Sequence, residues 1–147
     1  IQTKDGWWES GDIAKIVKNK RNIQLKILGR IDTAINTGGE TIFPEVLESR
    51  LLESAKQKGI PLKNTIFLSL NDKEWGDKLT ALTKWEEELN STQEAIMLKK
   101  LTQIVSNWPP EERPKSWINC PELKRNRLGK YERFKWFNWL NNHKNIT

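Results

Sequence analysis

"INTGGETIFPEVLE", residues 35–48, carries the signals that decide the fold. Gly38 and Gly39 stand between two short apolar runs, 34–37 and 41–43, and mark a tight hairpin, because glycine tolerates the positive φ that two-residue turns require. Pro44 suits a first helical position, and Leu47, Leu51 and Ala55 then recur at four-residue spacing. Gly59 and Pro61 end that helix.

Upstream, 13–17 ("IAKIV") and 23–28 ("IQLKIL") are two β-like runs joined by the basic "KNKRN", a further hairpin, after which "GRID" breaks the pattern. Downstream, "NTIFLSL" (64–70) reads as a buried strand, and "KLTALTKW" (78–85) alternates like its partner. "STQE" offers a capping box with Ser91 as N-cap and Glu94 as its reciprocal partner. Met97, Leu101, Ile104 and Trp108 fall on one helical stripe that Pro109 and Pro110 stop. A short strand at "KSWIN" and a last helix complete an order that predicts an α+β fold, a small mixed sheet with packed helices.

The chain has 147 residues, with 25 Lys+Arg against 19 Asp+Glu and a formal charge of +6, a balance that suits an anionic partner without choosing one. Cys120 is the single cysteine, so an intramolecular disulfide is ruled out, and with His143 as the one other soft ligand no metal centre is expected. That cysteine usage fits a reducing, cytoplasmic compartment. No apolar run approaches the roughly 20 residues of a membrane span. The chain opens on Ile1 and is read as a piece of a longer protein.

A Walker-type phosphate loop is absent, since "RLGKYE" lacks the upstream glycine and the hydroxyl. Three spots remain. Asp12 in "ESGD" is an acceptor suited to two neighbouring hydroxyls, as on a ribose, or else a turn aspartate entering a strand. Arg30 and Asp32 in "GRID" put a permanent planar cation on a linker, or else form a surface ion pair. Lys130, after Gly129 and among Arg125, Arg127 and Arg133, offers a mobile point charge for a reacting phosphate, or else belongs to a solvated basic face.

"GWWESGD", "GRIDTAINTGGETIFPEVLE" and "RLGKYER", in that order, resemble the closing motifs of the adenylate-forming superfamily of acyl- and aryl-CoA synthetases, adenylation domains and beetle luciferase. "NTGGETIFPEVLE" and "ERPKSW" look most like the branch that includes 2-succinylbenzoate-CoA ligases of menaquinone and phylloquinone synthesis. The resemblance implies a carboxylate, ATP with Mg2+ and coenzyme A as reactants, with acyl-AMP formed first and the thioester second. It implies that residues 1–31 are a β-hairpin from the end of a large N-terminal domain, the chain's own partner, and that 32–147 are a mobile C-terminal domain hinged at Asp32. By the same resemblance Asp12 and Arg30 contact the nucleotide and Lys130 is catalytic. Gly38, Gly39 and Glu40 then face the pantetheine arm of coenzyme A, although a plain hairpin turn would also select glycine. Alternatives are another acyl- or aryl-CoA synthetase, or an adenylation domain that loads a carrier protein. The piece alone is expected to be inactive, because the phosphate loop and acyl pocket of such enzymes lie upstream.

In the tail, "YERFKWFNWL", a helical wheel sets Tyr131, Phe134, Phe137 and Leu140 on one side and turns Trp136 and Trp139 elsewhere, as an exposed pair for an interface. Interleaved basic and aromatic residues also suit a module gripping single-stranded nucleic acid. Acidic residues spread through the chain argue against it, so no nucleic-acid partner is expected.

Overall fold

The computed structural model describes residues 12–18, 23–30, 34–37, 39–72 and 76–146. Strands β1 (Asp12–Lys18) and β2 (Ile23–Arg30) form an antiparallel ladder in which Asp12 pairs with Arg30 and Lys18 with Ile23, interrupted between Ile13 and Ala14. Gly29 and Arg30, expected to break the pattern, belong to β2, where the ladder extends to Asp12. β3 (Ile35–Thr37) and β4 (Glu40–Ile42) pair across the glycine turn, with Thr37 opposite Glu40.

Helix α1 (Pro44–Gln57) follows with proline in its first turn. Its buried stripe is Pro44, Leu47, Glu48, Leu51 and Ala55. Gly59, at φ +69°, ends it: Gly59 N–H donates to the Lys56 carbonyl at 3.2 Å and Ile60 N–H to the Ala55 carbonyl at 2.8 Å. This left-handed termination satisfies two carbonyls and turns buried Ile60 back onto Ala55.

The main sheet has the order β5 (Leu62–Asp72), β6 (Gly76–Trp85), β7 (Ser116–Asn119), antiparallel in the first pair and parallel in the second. The fold is α+β, as the element order predicts. Helices α1 and α2 (Ser91–Val105) pack one face, where Phe67, Leu79, Ala81 and Trp85 meet Leu51, Leu101, Ile104 and Trp108. Helix α3 (Arg133–Ile146) packs the other, where Ile66, Leu68 and Leu82 meet Leu123, Trp136 and Leu140. Apolar residues on both faces explain why "TIFLSL" reads as a nearly continuous apolar run.

Two expectations shift. The capping box sits one residue earlier: Asn90 Oδ1 accepts from Gln93 N–H at 2.8 Å and Gln93 Oε1 from Asn90 N–H at 3.0 Å. Asparagine caps as well as serine, and Gln93 reaches back as Glu94 would have done. Trp136 is buried against the sheet at 2 % exposure, whereas Phe134 stands 78 % exposed. Trp136 lies four positions before buried Leu140 and shares its face, so the indole pair is not an exposed patch. Trp139, half-buried, stacks on His143 with ring centroids 4.9 Å apart.

Among the described residues no helix is long and apolar enough to cross a membrane. Cys120 is fully buried under α3, and its N–H donates to the Thr83 carbonyl at 2.7 Å. Burial, with the charge of Glu122 next, pushes its thiol up to about 12. A thiol that high is almost all protonated at pH 8, where an ordinary one near 8.5 is partly ionised. The native chain is therefore expected to react with an aromatic disulfide reagent at pH 8 on the order of a thousandfold slower than the chain in denaturant. Equal rates would mean that Cys120 is not sealed.

Candidate functional site

Lys130 stands at the end of a loop between buried Leu123 and the start of α3. Asn126 N–H donates to the Lys130 carbonyl at 2.7 Å, and Lys130 N–H donates back to Asn126 Oδ1 at 3.0 Å. The same oxygen accepts from Leu128 N–H at 2.9 Å. Gly129, at φ +78°, donates its N–H to the Asn126 carbonyl at 2.9 Å and accepts from Arg125 Nη1 at 3.0 Å. One asparagine thus closes both ends of a turn that only glycine enters without strain.

Behind the loop, the Arg125 guanidinium lies 4.5 Å from the centre of the Tyr131 ring. Tyr131 accepts at its hydroxyl from Asn64 Nδ2 at 3.2 Å. In front, the Lys130 side chain is exposed and meets no hydrogen-bond or ion-pair partner among the described residues. Lys124, Arg125, Arg127, Leu128, Glu132 and Lys135 line an adjoining open hollow of about 500 Å3 with Asn126, and the field there is positive. Leu128 is 84 % exposed at the loop's tip, so an apolar contact flanks the charge.

Three residues after Lys130, Arg133 forms a two-pronged ion pair with Glu48 of α1, Nη1 to Oε2 at 2.8 Å and Nη2 to Oε1 at 2.7 Å. Glu48 Oε2 also accepts from the Phe67 N–H of β5 at 2.7 Å. Burial pushes the Glu48 carboxyl above its usual value, while Arg133 and the Phe67 N–H pull it back. Burial acts to lower Arg133, but the hydrogen bonds and charge of Glu48 outweigh it and hold the guanidinium above its usual value. The two shifts differ in what they say of the pair, and Arg133 decides: a guanidinium is always charged, and a two-pronged partner at these distances is a carboxylate.

Asp12 and Arg30 are register partners at the open end of the first hairpin, so the backbone brings together two residues 18 positions apart (30 − 12 = 18). Asp32 and Gly38 lie outside the described residues. Gly39 has φ +93°, a conformation that glycine enters without strain, and a Cβ there would meet nothing within 4 Å. Glu40 is exposed beside it. Among the described residues no three His, Cys, Asp or Glu side chains gather to hold a metal ion.

Glu48 and Asn126 escaped the sequence reading, and Arg133, read there as one of the charges around Lys130, is paired with Glu48 instead. A carboxylate on the apolar stripe of α1 was the signal for the first, since a buried charge demands a partner. Asn126 followed by Gly129 is a turn signature, asparagine at the first and glycine at the fourth position.

No family model matches the chain. It is 30 % identical over 94 residues to 4-hydroxybutyrate–CoA ligase 2 of Metallosphaera sedula, covering 64 % of this chain and 16 % of that protein. It is 29 % identical over 129 residues to 4-chlorobenzoate–CoA ligase of an Arthrobacter species, 88 % of this chain and 22 % of that one. The chain therefore spans about a fifth of these relatives' length. Among solved structures, the anthranilate CoA ligase AuaEII in complex with anthranoyl-AMP superposes with a TM-score of 0.72 at 20 % identity, over 92 % of this chain and 24 % of that one. The o-succinylbenzoate CoA synthetase of Bacillus subtilis, in complex with its acyl-adenylate intermediate, gives 0.65 at 21 % identity over 92 % and 25 %. The chain shares its fold with a region of these ligases.

The buried ion pair generates a double-mutant prediction. Glu48→Leu or Arg133→Met alone leaves one buried group without its partner and costs about 3–5 kcal/mol. The double variant costs less than the two singles summed, and retains about 1–3 kcal/mol from the Phe67 N–H left without an acceptor. Denaturant unfolding of the four proteins measures the coupling; strict additivity would show that the pair contributes nothing.

Proposed function

We propose that the chain is the C-terminal part of an ATP-dependent acid–thiol ligase that makes an acyl-AMP and then an acyl-CoA. The observation that carries this reading is the Lys130 loop: an exposed ammonium held by its backbone, on a fold shared with CoA ligases. In the first step a carboxylate oxygen bonds to the α-phosphorus of ATP and pyrophosphate leaves. Two anions must approach in that step, and the Lys130 ammonium offsets their charge as they meet. In the second step the thiol sulfur bonds to the acyl carbon, AMP leaves and the thiol proton goes to solvent.

Asp12 and Arg30, paired across the first hairpin, hold the nucleotide, Asp12 at the ribose hydroxyls. ATP and Mg2+ are held mainly by a preceding domain whose end is residues 1–31. Residues 32–147 turn as a unit about Asp32 between the steps, and the Gly38–Gly39 turn with Glu40 then lies along the pantetheine arm. The acid is 2-succinylbenzoate, by the likeness of "NTGGETIFPEVLE" and "ERPKSW" to that branch, and the place of action is the cytoplasm. Names among the similar proteins cover several different acids, which fits a C-terminal part that acts on atoms common to all of them: carboxylate, α-phosphate and thiol.

In the full-length parent, Lys130→Ala is expected to lower acyl-AMP formation by about 10²–10³-fold while preformed acyl-AMP still yields thioester with CoA. Pyrophosphate release and thioester formation, assayed separately with 2-succinylbenzoate beside other benzoates and fatty acids, test lysine and acid together. Unimpaired adenylation by Lys130→Ala sinks the lysine's role; preference for another acid sinks only the substrate. Asp32→Pro, which fixes φ at the hinge, is expected to change the ratio of the two half-reaction rates, and an unchanged ratio argues against that hinge.

A further inference from the structure

We infer that Asn126 is the positioning residue for Lys130, its side-chain oxygen setting the rate of adenylation but not of thioester formation; the inference rests on the reading of Lys130 given above. The Lys130 ammonium has no partner among the described residues, so its location follows from the backbone at 130 and the side chain's own rotamers. Asn126 fixes that backbone from both sides, accepting the Lys130 N–H at 3.0 Å and donating to its carbonyl at 2.7 Å. The same Oδ1 takes the Leu128 N–H at 2.9 Å, so one side-chain oxygen gathers two of the turn's N–H groups.

Leu128 and Lys130 are exposed, and their N–H groups turn to water if the oxygen is removed. Loss of Asn126 Oδ1 therefore costs little in folding and a great deal in shape. Placement is what a point charge contributes to a reaction between two anions, and misplacement by about 1 Å costs on the order of 10²-fold in rate.

The test uses the full-length parent with Asn126→Leu, Asn126→Asp, Gly129→Ala and Lys130→Ala, reading acyl-AMP formation, thioester formation from preformed acyl-AMP, and melting temperature. Asn126→Leu keeps the volume and loses the acceptor. It is expected to lower kcat for adenylation about 10²-fold with KM for ATP and the second half-reaction unchanged. Asn126→Asp keeps an oxygen in place and is expected to recover most of that rate. Gly129→Ala strains the same turn through φ +78° alone, since its Cβ meets nothing within 4 Å, and is expected to repeat the selective loss. If Asn126→Leu does not fold, Gly129→Ala decides.

Wild-type adenylation by Asn126→Leu, equal loss in both half-reactions, or no recovery with Asn126→Asp overturns the inference. Should Lys130→Ala lose adenylation while Asn126→Leu keeps it, the role of Lys130 stands and the positioning role falls. Should Lys130→Ala keep adenylation, both fall.

Discussion

The Glu48 carboxylate is the constraint on which the arrangement of the other elements depends. It lies on the buried stripe of α1, on one face of the main sheet, yet its partner Arg133 begins α3, which packs the opposite face. The pair reaches around the sheet at β5, an edge strand, and Glu48 also takes the edge N–H of Phe67. An apolar pair of the same volume would pack as well, but it would not fix angles. Two parallel hydrogen bonds at 2.7 and 2.8 Å specify direction as well as distance, and the third bond occupies an edge group otherwise open to pairing with another strand.

That constraint explains how the backbone that carries Lys130 is placed. The loop leaves the core at buried Leu123 and returns to it at Tyr131 and Arg133, one tied to Asn64 of β5 and the other to Glu48 of α1. Between these anchors Asn126 and Gly129 fold the backbone on itself, and the rest of the loop is solvent-exposed. The rigidity of the turn comes from short-range hydrogen bonds and its placement from long-range ones. An exposed ammonium of this kind stays solvated, which keeps its cost to folding low.

Local chemistry was legible in the sequence where it is set by neighbours a few residues away. The glycine turn, the proline-led α1, the β5–β6 pair and the first hairpin all follow from period and turn signals, because those act within about a dozen residues. The cap of α2 slipped by one residue because Asn90 and Ser91 both satisfy the same pattern. Trp136 was turned outward for a different reason: a helical wheel orders side chains around an axis but does not say where the sheet lies. The Glu48–Arg133 pair joins residues 85 positions apart, a distance over which no periodicity carries a signal. What remained visible was the anomaly itself, a glutamate among Leu47, Leu51 and Ala55.

Gly39 separates two reasons for glycine that a sequence merges. Its φ of +93° is a reason sufficient in itself, because a side chain there would be strained whatever lay nearby. The space around it is a second fact: among the described residues, its chain neighbours apart, no heavy atom comes within 4 Å of the place a Cβ would occupy. Crowding by the protein therefore plays no part in the choice. The turn requires glycine at position 39, where the positive φ is entered without strain. Conformation, not crowding, selects the residue.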